Sequence, residues 1–166
     1  MDAFVQPLYE LADFDAIIRQ LKKPGIVQVS GCLDSQKAHF TNGLLREFPF
    51  RLIVAENDLK AKAFYEDFRL YDPEVLYYPA RDLIFYQADI HGNLLTRQRI
   101  QVLRALLERE EVTIVTSIDS CLDCLVPLAV WKEKVIKIRN DSEIDLDRMK
   151  RQLLELGYEW AAQVEV

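Results

Sequence analysis

The sequence predicts an α/β fold built on a parallel sheet, and three observations lead there. Short apolar runs rich in β-branched residues alternate with longer stretches of helical periodicity. The connections between them are short, which favours right-handed crossovers. The most apolar run, Val112-Thr113-Ile114-Val115-Thr116, suits a strand covered on both faces.

Taken in order, Leu8 to Leu21 reads as a helix, because Leu11, Phe14, Ile17, Ile18 and Leu21 recur at helical spacing. Pro24-Gly25 stops it. Ile26-Val27-Gln28-Val29-Ser30 reads as the first strand, Gln36 to Phe48 as a helix and Arg51 to Ala55 as the second strand. Asn57 or Asp58 caps a helix that runs to about Tyr71. Val75 to Tyr78 is a strand ended by Pro79, and Leu94 to Arg109 a strongly amphipathic helix. After Val112 to Thr116 come a short strand, Val135 to Ile138, and a helix, Ile144 to Leu156, closed by Gly157. Trp160 to Val166 reads as extended.

Composition bounds the chemistry. The chain has 166 residues, half of them apolar and 29% charged, enough for a real core. Lys plus Arg number 21 against 27 Asp plus Glu, a net charge of -6. A long track for duplex DNA would need the opposite balance, because affinity there comes from neutralised phosphates. The N-terminal residues form no signal peptide, no run suits a membrane helix, and an odd number of cysteines argues for a reducing compartment. A cytoplasmic location follows as the expectation.

In open parallel sheets ligands sit beyond the carboxyl ends of the strands, so the turn after Ser30 is the first place to look. It reads Gly31-Cys32-Leu33-Asp34-Ser35-Gln36-Lys37-Ala38. Against the phosphate-loop pattern G-x-x-x-x-G-K-[ST], Gly31 and Lys37 match at the right separation. Gln36 replaces the glycine that lets the backbone wrap round phosphates. Ala38 replaces the hydroxyl residue that ligates magnesium, and Asp34 adds a negative charge among the expected phosphate oxygens. The alternative is a solvated Lys37 on an ordinary first helical turn.

Other groupings are weaker. Cys121-Leu122-Asp123-Cys124 has C-x-x-C spacing, yet too few further ligands exist for zinc, and Asp119 and Asp123 oppose a reactive thiolate. Buried, inert cysteines are the expectation. Arg97, Arg99, Arg104 and Arg109 line one face of the Leu94–Arg109 helix and read as a solvated face, with DNA-backbone contact as the alternative. In the stretch from Arg81 to Asn93, Leu83, Ile84, Phe85 and Tyr86 read as anchors of a loop, and Asp89, His91 and Asn93 as groups fixing its turns.

One resemblance is specific. Val29 to His39, then Tyr77-Tyr78-Pro79-Ala80-Arg81-Asp82-Leu83-Ile84-Phe85-Tyr86-Gln87-Ala88-Asp89-Ile90-His91-Gly92-Asn93, then Arg97-Gln98-Arg99, Thr113 to Thr116, Leu156 to Glu159 and Gln163 to Glu165 resemble the start of bacterial transcription-repair coupling factor, Mfd. The resemblance covers nearly the whole chain. It implies a module similar to the damage-recognition protein UvrB that has lost ATPase activity.

On that resemblance the fold is a RecA-like three-layer parallel sheet with a degenerate phosphate loop, over residues 1–139. Residues 140–166 would begin a small α+β domain that recruits UvrA, cut before the hairpin that carries much of the UvrA surface. The chain alone is then expected to be no enzyme and to hold no cofactor; ATP and magnesium serve the parent's motor. UvrA would be reached only through the completed recruitment domain, and RNA polymerase and DNA only through downstream domains. UvrB's tyrosine-rich, damage-probing hairpin is replaced by the compact Ala80–Asn93 stretch. Interdomain or partner contacts are expected of Arg81, Asp82, Phe85, Tyr86, His91, Tyr158, Glu159 and Gln163. The competing functional reading is a small nucleotide-binding or DNA-backbone-binding domain.

Overall fold

The computed structural model describes residues 3–80 and 88–161, apart from 137, 139 and 142. Its sheet has three parallel strands, β1 (Phe50–Ala55), β2 (Leu76–Tyr78) and β3 (Val112–Ser117), in the order β1-β3-β2. Phe50 pairs with Val112 and Ala55 with Ser117 across β1 and β3, while Leu76 pairs with Ile114 on the other side. Every residue of β3 is buried, as its β-branched composition leads one to expect.

Helices lie on both faces. On one, α3 (Asp58–Phe68) packs over Ile53, Ala55, Tyr77 and Val115, with Ala61 and Phe68 fully buried. On the other, α4 (Ala88–Glu108) places Val102, Ala105 and Leu106 against Tyr78, Val112 and Ile114. Burial of Phe68 and Val115 contributes about 2 kcal/mol or more each. The α4 face is uneven, because Phe50, Leu52 and Val54 of β1 stay exposed.

A separate cluster joins the N-terminal segment to the helix after the loop. Val5, Leu8, Phe14 and Ile18 close on Leu44. They come from a 3-10 turn (Gln6–Glu10), from α1 (Phe14–Leu21) and from α2 (Asp34–Leu45). The helix expected from Leu8 to Leu21 is thus broken in two. Pro7 starts the tight turn, and Leu11 turns the backbone extended before α1 begins.

Asn57 caps α3 as expected, its side chain accepting the Lys60 N–H at 2.9 Å. Two short helices, α5 (Ile118–Cys121) and α6 (Leu128–Lys134), were not legible from periodicity. Both are too short to show it. The last helix, α7 (Leu146–Glu155), is capped by Asp145, which accepts from Asp147 N–H and Arg148 N–H. It ends at Gly157, whose N–H reaches the Leu154 carbonyl.

Three expectations are corrected. Ile26 to Ser30 is not a strand of the sheet; it runs irregularly between Gly25 and Gly31, both at positive φ, with Ile26 almost wholly exposed. The described residues between Val135 and Ile138 are likewise irregular, since they find no strand to pair with. Residues 88–93, read as part of a loop, are the first turns of α4. Arg81, Asp82, Phe85 and Tyr86 lie outside the described residues, as do Gln163 and the rest of 162–166.

The chain packs as two units, Met1–Cys124 and Leu125–Val166. Within the second, Lys134 faces Glu155, and the Lys150 ammonium lies over the Trp160 ring. Among the described residues no helix is long and apolar enough to cross a membrane.

Candidate functional site at the carboxyl end of the sheet

Two features are candidates for a site: the loop from Gly31 to Lys37, which follows an irregular segment instead of a strand, and the carboxyl ends of β1, β2 and β3. The loop comes first, because the sequence singled it out. Gly31 has φ of +88°, where an L side chain would be strained. The next two residues are irregular, and α2 starts at Asp34. The Gln36 side-chain oxygen accepts the Leu33 N–H at 3.4 Å, so it caps its own helix.

Lys37 does not stand free to meet a phosphate. Its ammonium lies 2.6 Å from Asp34 Oδ1, one turn away. The hydrogen bond from Lys37 holds the Asp34 carboxyl below its ordinary value, with Lys60 adding a smaller effect. Asp34 raises Lys37 in turn. Both are solvent-exposed, so the pair adds little stability. Its importance is chemical: the Lys37 ammonium already carries a carboxylate of its own chain. Ser35 is exposed, whereas Ala38 is buried beside Ala61, Phe68 and Tyr77. The side chain that follows Lys37 is therefore part of the core.

The strand ends are tied to one another. Asp58 Oδ1 accepts the Ala80 N–H at 3.2 Å and the Ser117 hydroxyl at 3.3 Å. The Tyr77 hydroxyl donates to the Asp58 carbonyl at 3.4 Å. Burial first, then Asp58, pushes the Tyr77 phenol well above its ordinary value. Ser117 and Ser120 share a hydrogen bond of 2.9 Å and are both fully buried. Thr116 Oγ1 donates to the Tyr78 carbonyl at 2.9 Å.

Arg99 completes this arrangement, and here another expectation is corrected. It was read as one of four solvated arginines; it is buried instead. Its guanidinium stacks 4.2 Å from the Tyr78 ring centroid, donates to the Pro79 carbonyl at 2.7 Å and pairs with Asp123 at 2.9 Å. Only a planar, permanently charged fork serves all three at once. Arg104 pairs with Glu108 on its own helix and Arg109 with Glu74, while Arg97 is exposed. The helix thus lacks a continuous basic face.

The cysteines also depart from expectation. Cys121 and Cys124 are exposed and Cys32 is half-buried, all as free thiols. The pair lies at and just beyond the end of α5. Among the described residues no group of His, Cys, Asp and Glu is arranged to hold a metal. His91 lies on α4, while Tyr158 and Glu159 are exposed beyond α7.

At the opposite, amino end of the sheet a cleft of about 540 Å³ is lined by Arg51, Asp72, Glu74, Arg109, Glu110 and Glu111. Arg51 spans it, donating to the Phe48 carbonyl and Thr113 and facing Asp72 and Glu111. Charges of both signs already answer one another there.

No family model matches the chain. Sequence relatives do. A transcription-repair-coupling factor of Bacillus subtilis is 28% identical over 164 residues, 96% of this chain. A UvrABC system protein B of Treponema denticola is 29% identical over 143 residues, 86% of the chain. The homologues of this chain are thus Mfd and UvrB. A further UvrABC system protein B, from Anaplasma phagocytophilum, is 31% identical over 129 residues, 69% of the chain. The likeness to both is consistent with an N-terminal UvrB-like module. The chain spans only 14% of the Mfd relative and 20% of each of these two UvrB relatives.

Proposed function

We propose that the chain is a non-catalytic, UvrB-like module of a transcription-coupled repair protein, descended from a RecA-like nucleotide fold. One observation carries this reading: in a chain homologous to Mfd and UvrB, the loop lysine is held by Asp34 and the residue after it is a buried alanine. A phosphate would have to displace a carboxylate already bonded to Lys37, without a close-approach glycine to compensate. No cofactor is assigned to the chain; ATP and magnesium belong to the motor of the longer protein.

Residues 1–139 are then the first subdomain and 140–166 the opening of the UvrA-recruiting one. Helix α7 supplies a surface with exposed Tyr158 and Glu159 beside it. Arg81, Asp82, Phe85, Tyr86 and His91 serve contacts with neighbouring domains, and Gln163 the partner side. RNA polymerase and DNA are engaged by other parts of the longer protein. The site of action is the cytoplasm.

The test is a pull-down with UvrA as bait. The parent module, extended past residue 166, should be retained and the 166-residue chain retained weakly or not at all. If the extended module passes through unretained, the recruitment reading fails.

A further inference from the structure

Cys121 and Cys124 lie outside everything the repair reading uses. The structure removes one reason for regarding them as inert and weakens another, although Asp119 still stands nearby in the sequence. They are exposed, not buried. The carboxylate between them, Asp123, is matched by the Arg99 guanidinium at 2.9 Å, so its charge no longer stands alone against a neighbouring thiolate. Cys32, the third thiol, is half-buried and sits before α2, at the degenerate loop.

The backbone bends between them. Cys121 is the last residue of α5, and Leu122 keeps helical dihedrals (φ -78°, ψ -12°), its N–H bonded to the Ile118 carbonyl. Asp123 then bends the chain and Cys124 lies beyond the helix, so the two cysteines stand at the ends of one four-residue bend. A disulfide needs Cβ atoms about 3.5–4.5 Å apart, so closure has to tighten this bend.

We propose that Cys121 and Cys124 form a vicinal dithiol that closes to an intrachain disulfide by exchange with a small-molecule disulfide such as oxidised glutathione. One protein thiolate attacks a sulfur of that disulfide, giving a mixed disulfide and expelling one glutathione thiolate, which takes up a proton. The second protein sulfur then displaces the second glutathione. Two S–H bonds and the oxidant's S–S bond are lost. One protein S–S bond and two glutathione thiols are gained. Closing the four-residue ring draws in Asp123, the carboxylate that braces Arg99 against the Pro79 carbonyl. The dithiol is thereby a redox-sensitive latch on the end of β2, and a bridge under such constraint is readily reduced again.

The experiment treats the whole chain with oxidised glutathione, alkylates the remaining thiols and maps the peptides by mass spectrometry. The expected result is loss of two hydrogens from the peptide carrying Cys121 and Cys124, with no alkylation there. In the C124S variant a single glutathione should remain on Cys121, because the resolving sulfur is gone. Wild-type protein that retains glutathione on either cysteine, or that alkylates at both, overturns the proposal. Hydrogen exchange of the Ala80 amide reads the latch: it should quicken on oxidation in wild type and stay unchanged in C124S. An unchanged rate in oxidised wild type overturns the coupling to Arg99.

Discussion

Val112–Ser117 and Ile26–Ser30 look alike on paper and end differently. Both are short, β-branched runs at the positions where an alternating fold needs strands. The first is buried residue by residue at the centre of the sheet; the second lies outside it, with Ile26 and Val29 exposed. Composition favours a strand in each case. Only β3 has neighbours on both edges and helices on both faces, and strand propensity is mostly that fit. An apolar run is permission to be a strand, and the partners make it one.

The sharpest way to break this contrast is by truncation on each side. Phe68→Ala, beneath the sheet, should cost about 3–5 kcal/mol in chemical denaturation, because a fully buried ring leaves a cavity. Ile26→Ala should change stability by less than about 0.5 kcal/mol. If the two costs are comparable, the 26–30 segment is packed in solution and the contrast is wrong.

Arg99→Ala comes next. It removes the bonds to Pro79 and Asp123 together, and should lower stability by about 1–3 kcal/mol. Arg104→Ala, whose partner is an exposed Glu108, should stay within about 0.5 kcal/mol on the same helix. Gly43→Ala tests the N-terminal cluster. A Cβ there would run into Leu8 and Phe14, so the variant should lose about 1–2 kcal/mol despite alanine's better helix propensity.

The smallest effect is a pH response. The Tyr77 phenol is raised by burial and by Asp58, so the folded state favours its neutral form. That contribution is complete below the ordinary tyrosine value of about 10 and is lost as pH rises above it toward the folded value. Denaturation followed above pH about 10 should show stability falling in wild type. The fall should be shallower in Tyr77→Phe; equal slopes would contradict the assignment.

Much of the fold was legible in the residues. β1, β2 and β3 fall within a residue of the apolar runs, and the Asn57 cap and the Gly157 stop are where side-chain chemistry put them. What escaped had no periodic signal, such as the four residues of α5, or depended on tertiary partners, such as segment 26–30. At the candidate site the departures of Gln36 and Ala38 from the phosphate-loop pattern were visible in the residues. The Asp34–Lys37 pair was visible only as a charge at helical spacing, three residues before the lysine. Arg99 was misread because a helical wheel sorts faces by polarity. It does not foresee that an aromatic ring, a carbonyl and a carboxylate will converge on one guanidinium.

The central claim is that this loop does not hold nucleotide, and titration calorimetry of ATP with magnesium into the 166-residue chain tests it most directly. The account predicts no binding heat beyond dilution, for wild type and Lys37→Ala alike. Micromolar binding in wild type that disappears in Lys37→Ala would contradict it.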